Sequence, residues 1–152
     1  MAADWRADRI GSAERGESPM VIGRMRSGFA VIGDTQFLPG YCVLLAAPQV
    51  ASLEDLSPAD RAVFLDDMGR LGAAVNAACD ARRINYSIYG NTDAFLHAHV
   101  FPRYDWEPAE RIPGPVWLYP RENWSDAAHA YDEARHGALR RKIAEALADN
   151  LD

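Results

Sequence analysis

The sequence has few of the residues that mark several large classes of protein. It has two cysteines, Cys42 and Cys79, which lie in apolar segments without a Cys-x-x-Cys pattern. This indicates reduced, buried side chains and gives no sign of a disulfide framework or a cysteine-rich zinc site. It also has no apolar run of about 18 residues and no secretory leader. These absences predict a cytoplasmic protein without a membrane partner.

Basic residues are in deficit. Lys and Arg number 16 against 22 Asp and Glu, so the formal net charge is −6, with a pI near 5.2. General binding to nucleic acids or anionic membranes needs broad basic patches. The composition therefore argues against a nucleic-acid partner. A small phosphorylated ligand stays possible, because it needs only a local cluster of hydrogen-bond donors.

The chain of 152 residues, 49% apolar and 25% charged, suits a single globular domain over 1–152. Two strands are predicted in 20–34, around the turn Arg26-Ser27-Gly28, and a third in 41–47. Strand character returns in 83–91 and again through the segment that holds His97 and His99. A short opening helix is predicted in 4–14.

A long central helix is predicted after residue 57. Ser57 is a good N-cap, Pro58 fits the first helical position, and Asp60 complements the positive end of the helix dipole. Apolar residues then recur at steps of three and four and predict the inward face: Phe64, Met68, Leu71, Val75 and Cys79. The expected class is α+β, with an antiparallel sheet of about five strands, this helix and a C-terminal helix.

The segment 102–124 differs in character, since it holds five of the nine prolines and three of the four tryptophans. It is interpreted either as extended aromatic coil over the core or a subunit interface, or as a wall for a nucleobase. Ser125 is predicted to cap the last helix. Its inward side would carry Tyr131, Leu139, Ile143 and Leu147.

The histidines are the main functional signal. The chain has four, and His97 and His99 sit one residue apart between apolar neighbours. Alternate residues of a strand project from one face, so the two imidazoles are expected roughly 6.5–7 Å apart along the chain and pointing the same way. Asn91, Thr92 and Asp93 lie just upstream. Together these residues predict a polar pocket.

Three interpretations of the pair compete. Both histidines could be hydrogen-bonded packing residues, but burying two such groups needs two sets of partners. They could ligate a metal, with Asp93, Asp105 or Glu107 as third ligand by proximity. They could also act in nucleophilic catalysis, where one imidazole attacks phosphorus and the other holds the phosphate.

The stretch "HAHVFPR" resembles the signature of the histidine triad family, His-φ-His-φ-His-φ-φ, where φ is apolar and Pro-Arg often follows. "FAVIGDTQFLPGYCVLLAAP" is similar to the family's strand, proline-glycine turn and strand. "LEDLSPADRAVFLDDM" is similar to the start of its helix. The resemblance spans roughly residues 20–104, the expected core, and leaves 105–152 as an extension with the C-terminal helix.

The resemblance implies a nucleotide hydrolase or nucleotidyltransferase that acts at an α-phosphate through a nucleotidyl-histidine. By alignment His97 is the nucleophile and His99 is the phosphate holder and proton donor. Asn91 matches a polar amide that touches the sugar or phosphate. Asp34 lies near the position of a ribose-contacting residue, one position out of register. Thr92 and Arg103 are further candidates for phosphate contacts.

The sequence departs from the family pattern in two places. Phe95 occupies the first triad position, so a third imidazole is absent. The loop after Asn91 is shorter than in the phosphoramidase and dinucleotide-hydrolase branches and lacks their Gly-Gln segment. The predicted nucleophile is still present. The phosphate contacts that the missing loop segment would make must come from other residues.

The expected substrate is a nucleoside 5′-phosphoryl compound: a dinucleoside polyphosphate such as diadenosine tetraphosphate, a phosphoramidate or a sugar nucleotide. No resident cofactor or metal is assigned, although Mg²⁺ could accompany the substrate phosphates. A homodimer is expected from the resemblance. Two alternatives stay open: a non-catalytic nucleotide-binding module and a metal-dependent hydrolase built on the His-x-His pair.

Overall fold

A computed structural model of the chain describes residues 4–149. Five strands form one antiparallel sheet in the order β1-β2-β3-β5-β4, so β1 and β4 are its edges. The strands are Val21–Met25 (β1), Gly28–Ile32 (β2), Cys42–Ala46 (β3), Arg83–Ile88 (β4) and His97–Arg103 (β5). The α-helices are Arg9–Glu14 (α1), Pro58–Cys79 (α2), Arg121–Ser125 (α3) and Glu133–Asp149 (α4). The predicted α+β class and five-stranded sheet are confirmed.

Helix α2 begins where its local sequence predicts. The Ser57 hydroxyl accepts a hydrogen bond from the backbone N–H of Asp60 at 3.1 Å, and Pro58 occupies the first helical position. A side-chain oxygen at this point satisfies a backbone donor that has no partner inside the helix. Phe64, Leu71 and Val75 are fully buried against the sheet.

A buried carboxylate ties α2 to the turn between β1 and β2. Asp67 is fully buried and accepts hydrogen bonds from the backbone N–H and hydroxyl of Ser27 at 2.8 and 2.7 Å. Arg26 donates to the same carboxylate from Nε at 3.1 Å and Nη2 at 2.8 Å. A buried charge is tolerated when it is paired and hydrogen-bonded in this way.

The two faces of the sheet are covered differently. Helices α2 and α4 pack on one face, where the main apolar core lies. A second, aromatic cluster includes Phe101 of β5, Tyr41 just before β3, and Val116 and Trp124 from the proline-rich segment. This segment therefore lies over sheet residues that the two long helices do not cover.

The prediction that Ser125 caps the last helix is wrong. Ser125 ends α3, and α4 begins at Glu133 after Asp132, whose carboxylate accepts from the backbone N–H of Arg135 at 3.0 Å. The intervening residues pair with the chain after β2, where Gln36 N donates to His129 O at 2.6 Å and Tyr131 N to Asp34 O at 2.8 Å. Backbone groups used in this pairing are not available to a helix.

The predicted opening helix in 4–14 is a 3₁₀ turn over Trp5–Asp8 followed by α1. Within residues 4–149, every helix is too short or too polar to cross a membrane.

Candidate active site

Strand β5 presents its two histidines on the sheet face that α2 does not cover. Ala98 and Val100 are fully buried in the core beneath α2, while His97, His99 and Phe101 alternate with them on the opposite face. The His97 and His99 ring centroids are 4.9 Å apart, with the ring planes at 76°. The two imidazoles therefore lie side by side, as strand alternation predicts.

The orientation of His97 is set by the backbone two residues earlier. Its Nδ1 lies 2.7 Å from the carbonyl oxygen of Phe95. A carbonyl oxygen only accepts hydrogen bonds, so Nδ1 carries the proton and Nε2 of the neutral ring has a free lone pair. The phenyl ring of Phe95 lies 4.9 Å from the imidazole, centroid to centroid. Position 95 therefore contributes a backbone acceptor, although its side chain is not an imidazole.

His99 lies against Tyr41 and beside His97. The Tyr41 hydroxyl lies 2.7 Å from Nδ1 of His99. Burial, and then the neighbouring His97, lower the pKa of His99 to about 4. Burial raises the pKa of Tyr41 well above its ordinary value, so this phenol keeps its proton. A phenol hydroxyl can donate or accept, and with the phenol as donor to Nδ1 the proton of neutral His99 lies on Nε2, where it can donate to a ligand oxygen.

The loop 33–41 holds Tyr41 in place. The buried amide of Gln36 donates to the carbonyl oxygens of Gly33 at 2.9 Å and Tyr41 at 3.0 Å, and accepts from Gly40 N at 2.9 Å. Gly40 has φ +100°, a conformation that favours glycine, and a Cβ there would lie 2.4 Å from Cys79 Sγ. A Cβ on Gly33 would lie 2.3 Å from the Tyr41 ring. Gly33 is therefore required by the position of the tyrosine ring, and Gly40 by its own backbone conformation and by Cys79.

Two clefts reach the histidines. The first cleft opens toward β2 and β3 and has a volume of about 220 Å³. Its floor is apolar and comes from Val31, Ile32, Val43 and Leu45. Trp117 and Trp124 line its other side and stack on each other at 5.0 Å with ring planes at 6°. The Trp117 ring also meets His99 edge to face at 4.9 Å.

The charged groups of the first cleft are Arg9, Asp34 and Asp93. Arg9 and Asp34 form a bidentate ion pair, with Nη1–Oδ1 and Nη2–Oδ2 distances of 3.0 and 2.5 Å. The hydrogen bond to Asp34 raises the pKa of Arg9. Asp34, predicted from the sequence as a ribose contact, thus lies in the histidine cleft and is paired there with a residue from α1.

A second cleft, of about 340 Å³, reaches the same histidines from the other side. It shares Asp93, His97, His99 and Trp117 with the first cleft. Its remaining lining residues are Tyr89, Gly90, Asn91 and Thr92. The structure therefore brings Asn91 and Thr92 to the histidines, but on the side away from Asp34.

Arg103, the other predicted phosphate contact, lies in neither cleft. Its side chain is 5% exposed and forms an ion pair with the fully buried carboxylate of Glu107 at 2.9 Å. It also donates to Asn85 Oδ1 at 2.9 Å, Gly114 O at 2.7 Å and Arg111 O at 2.9 Å. Its donors are thus directed at the proline-rich segment, which carries Trp117.

The carboxylates proposed as third metal ligands lie in different places. Asp105 pairs with Arg82 at 2.6 Å, and Glu107 pairs with Arg103. Burial opposes ionisation of Glu107, but hydrogen bonds from Arg103, Tyr119 and Tyr104 outweigh it and lower its pKa. Asp93 remains beside the histidines. Within residues 4–149, no group of three or more His, Cys, Asp or Glu side chains is placed to hold a metal ion.

Sequence reasoning missed Tyr41 and Arg9. The Pro39-Gly40 turn marks the start of β3, and Tyr41 follows it directly, but only the β3–β5 register shows that this residue reaches His99. Arg9 belongs to a short helix far from the motif in sequence, and its contact with Asp34 depends on how the chain folds back. The tryptophan-rich segment was interpreted in two ways, and the structure places it both over the aromatic cluster and along the first cleft.

No protein-family model and no curated protein matches the sequence. Solved structures of histidine triad proteins do match the fold. One from Sinorhizobium meliloti 1021 gives a TM-score of 0.70 at 24% identity, over 95% of each chain. One from Marinobacter aquaeolei VT8 gives 0.71 at 20% identity, over 87% of this chain and 90% of that one.

A hypothetical histidine triad nucleotide-binding protein from Sulfolobus tokodaii strain7 gives a TM-score of 0.69 at 12% identity, over 92% of this chain and 91% of that one. The chain thus has the fold of the histidine triad proteins, and the resemblance seen in the sequence is confirmed at the level of the fold.

Proposed function

We propose that the chain is a histidine triad-type nucleotide hydrolase or nucleotidyltransferase that acts at the α-phosphate of a nucleoside 5′-phosphoryl compound. The observation that carries this proposal is the hydrogen bond from His97 Nδ1 to the Phe95 carbonyl oxygen. It leaves the Nε2 lone pair free beside a second imidazole in an open cleft. An imidazole held in one tautomer is a suitable nucleophile near neutral pH.

In the proposed reaction the Nε2 lone pair of His97 forms a bond to the α-phosphorus, and the bond from phosphorus to the leaving atom breaks. The leaving atom departs with that electron pair and takes a proton from water in the cleft. The positive charge on the phosphorylated ring stays next to the Phe95 carbonyl oxygen. Water, or another acceptor with a hydroxyl group, then attacks phosphorus, and the electron pair of the phosphorus–nitrogen bond returns to Nε2. The proton of the acceptor passes to the solvent and balances the proton that the leaving atom took.

His99 has a supporting role in this reaction. Because its pKa is lowered to about 4, it is neutral near pH 7 in the free protein and offers the hydrogen bond of a neutral N–H. This hydrogen bond can hold a non-bridging phosphate oxygen whose negative charge grows in the transition state. In the free protein His99 therefore offers the hydrogen bond of a neutral ring, and the role of proton donor expected from the resemblance stays a prediction.

The first cleft suits the nucleoside. Its apolar floor and the tryptophan side favour a flat base, and Asp34 at its rim is an acceptor for ribose hydroxyls. The name of the Sulfolobus tokodaii neighbour, a nucleotide-binding protein, supports the same ligand class. We expect Mg²⁺ only as a companion of substrate phosphates and a homodimer as the assembly. Light scattering on the purified protein tests the dimer.

The test is a panel of adenosine and guanosine 5′-phosphoryl compounds with product identification, run on the wild type and on His97→Asn. Loss of turnover by at least about 1000-fold is expected, since no other group on the strand replaces the nucleophile. His136→Asn is the matched control, because His136 lines neither cleft. Unchanged hydrolysis by His97→Asn would remove this residue from the mechanism.

A non-catalytic nucleotide-binding protein is the second candidate, and the phenylalanine at the first triad position favours it. Brief mixing with substrate labelled at the α-phosphorus, followed by denaturation, separates the two. Acid-labile label on His97 supports the enzyme. Nucleotide affinity without label on any histidine supports the binding protein.

A further inference from the structure

A third cavity lies at the start of β4, apart from the two histidine clefts. It has a volume of about 480 Å³, within the range of small-ligand sites, and shares no lining residue with either cleft. Its charged lining groups are the guanidinium groups of Arg82, Arg83 and Arg103 and the carboxylate of Glu107. Positive charge is therefore in excess in this cavity.

Two of these arginines face each other across the sheet. Arg83 of β4 pairs directly with Arg103 of β5, so their side chains leave the same face of the sheet. Like charges directly opposite each other on neighbouring strands are destabilising. Glu107 compensates Arg103, with which it forms a buried ion pair at 2.9 Å. Arg83 is exposed, and within residues 4–149 its guanidinium has neither a carboxylate partner nor a hydrogen-bond acceptor.

Two further groups of donors line the cavity beside Arg83. The amide oxygen of Asn85 accepts a hydrogen bond from Arg103 Nη1 at 2.9 Å. The nitrogen of an amide side chain only donates, so the NH₂ group of Asn85 is left to donate to a ligand. Arg82 gives its Nη1 to Asp105 at 2.6 Å, in a pair that is exposed on both sides. Because such an exposed pair contributes little, the other nitrogens of Arg82 can donate to a ligand.

Arg103 holds the outer wall of the cavity rather than facing a ligand. Its Nε donates to Glu107 at 3.0 Å, its Nη1 to Gly114 O at 2.7 Å, and its Nη2 to Arg111 O at 2.9 Å. The backbone held in this way carries the apolar side of the cavity, which consists of Ile112, Pro113 and Pro115. The cavity thus combines donors on the sheet with an apolar wall on the proline-rich segment.

We propose that this cavity binds a phosphate monoester, with the phosphate at Arg83, Arg82 and Asn85 and the organic group against the proline-rich segment. A phosphate monoester offers three terminal oxygens to these three donor groups, whereas a carboxylate offers two. Guanidinium groups bind such oxygens with paired hydrogen bonds. The anion would also offset the repulsion between Arg83 and Arg103. This site is distinct from the histidine clefts and does not depend on the proposed function.

Isothermal titration calorimetry with phenyl phosphate, benzoate and benzyl alcohol measures the preference for the anion. The three probes share a phenyl ring and differ in the polar group. Phenyl phosphate is expected to bind most tightly, benzoate more weakly and benzyl alcohol not detectably. Added salt should weaken the binding of phenyl phosphate, because it screens exposed charges. Nitrogen-15 NMR of the arginine Nε–H groups locates the probe, and the Arg83 signal should shift on binding.

Two substitutions test the donors. Arg83→Gln should weaken the binding of phenyl phosphate at least about tenfold, since hydrogen bonds to charged groups are the strong ones. Asn85→Asp keeps an acceptor for Arg103 but replaces the NH₂ donor by a negative charge, and a loss of the same size is expected. Arg121→Gln is the matched control, because it removes the same charge from an exposed side chain outside this cavity.

Thermal melting in phosphate-free buffer distinguishes a ligand contact from a structural role. Arg83→Gln should melt at least as high as wild type, because it removes one of two like charges that face each other. A lower melting temperature with unchanged binding would make Arg83 a structural residue and overturn the site.

The binding data can overturn the proposal in three further ways. Wild type that does not bind phenyl phosphate would do so, as would binding that neither Arg83→Gln nor Asn85→Asp weakens. Benzoate bound as tightly as phenyl phosphate would overturn the assignment to phosphate monoesters. Each of these results is independent of turnover at His97, so the proposed function is tested separately.

Discussion

The Tyr41 hydroxyl lies 2.7 Å from Nδ1 of His99. Tyr41 directly precedes β3, and His99 lies in β5, 58 residues later. The pairing of β3 with β5 brings the two side chains together. With the phenol as donor, the contact gives neutral His99 the tautomer that carries its proton on Nε2. In the proposed reaction Tyr41 is a positioning residue, since it would act on the substrate through the imidazole.

Tyr41→Phe tests this role. Without the phenol, His99 can carry its proton on either nitrogen. One hydrogen bond is worth about 1 kcal/mol, so its loss should lower kcat about fivefold. Nitrogen-15 NMR of His99 should show a mixture of tautomers in place of one. Tyr119→Phe is the control, because it removes a hydroxyl that bonds Glu107. A single unchanged tautomer in Tyr41→Phe would contradict the role.

The lowered pKa of His99 predicts a pH-dependent stability. The unfolded chain binds a proton at His99 near pH 6.5, whereas the folded protein binds it near pH 4. The unfolded state therefore holds more protons between these values, and the free energy of unfolding falls as pH falls through this window. Because the ring is partly exposed, the free energy of unfolding should decrease by only about 2 to 3 kcal/mol across this window.

Urea unfolding of wild type and His99→Asn at about pH 7 and about pH 4.5 measures this effect. The variant lacks the titrating ring, so its free energy of unfolding should fall less than that of wild type. His129→Asn, which removes a histidine outside both clefts, should lose as much stability as wild type. Equal losses in all three proteins would show that His99 is not held neutral by the fold.

Arg103→Met separates a structural role from a ligand contact. Removing the guanidinium leaves the fully buried Glu107 carboxylate without its cationic partner, and the expected loss is about 3 to 5 kcal/mol in the free energy of unfolding. Arg82→Met breaks the exposed pair with Asp105 and should cost less than about 1 kcal/mol. Urea unfolding measures both. A stable Arg103→Met protein with a raised KM would instead support the phosphate contact expected from the sequence.

Asp67→Ala tests the link between α2 and the β1–β2 turn. The substitution leaves the Ser27 backbone N–H and the Arg26 guanidinium without a buried acceptor, so the expected loss is about 2 to 4 kcal/mol. Asp66→Ala is the neighbouring control, because that carboxylate is exposed, and its loss should be much smaller. Chemical denaturation compares the two, and equal losses would argue against the buried link.

Local patterns in the sequence predicted most of the elements. Strand alternation placed His97 and His99 on one face, and the Ser57-Pro58 start located α2, because these signals depend only on the geometry of neighbouring residues. The last helix was misplaced because Ser125 has the chemistry of an N-cap. The pairing of residues 129–131 with the chain after β2 decided where the helix begins.

The sequence by itself determined the five strands, the long helix and the pair of imidazoles at the centre of the site. Only the tertiary structure decided their partners: Tyr41 at His99, Arg9 at Asp34, Trp117 between the two clefts, and Arg103 beneath the proline-rich segment. The reason is physical. A strand or helix follows from the period of adjacent side chains. Most of these contacts instead join residues that are 18 or more positions apart. Whether such residues meet depends on the strand register and on how the tail folds back.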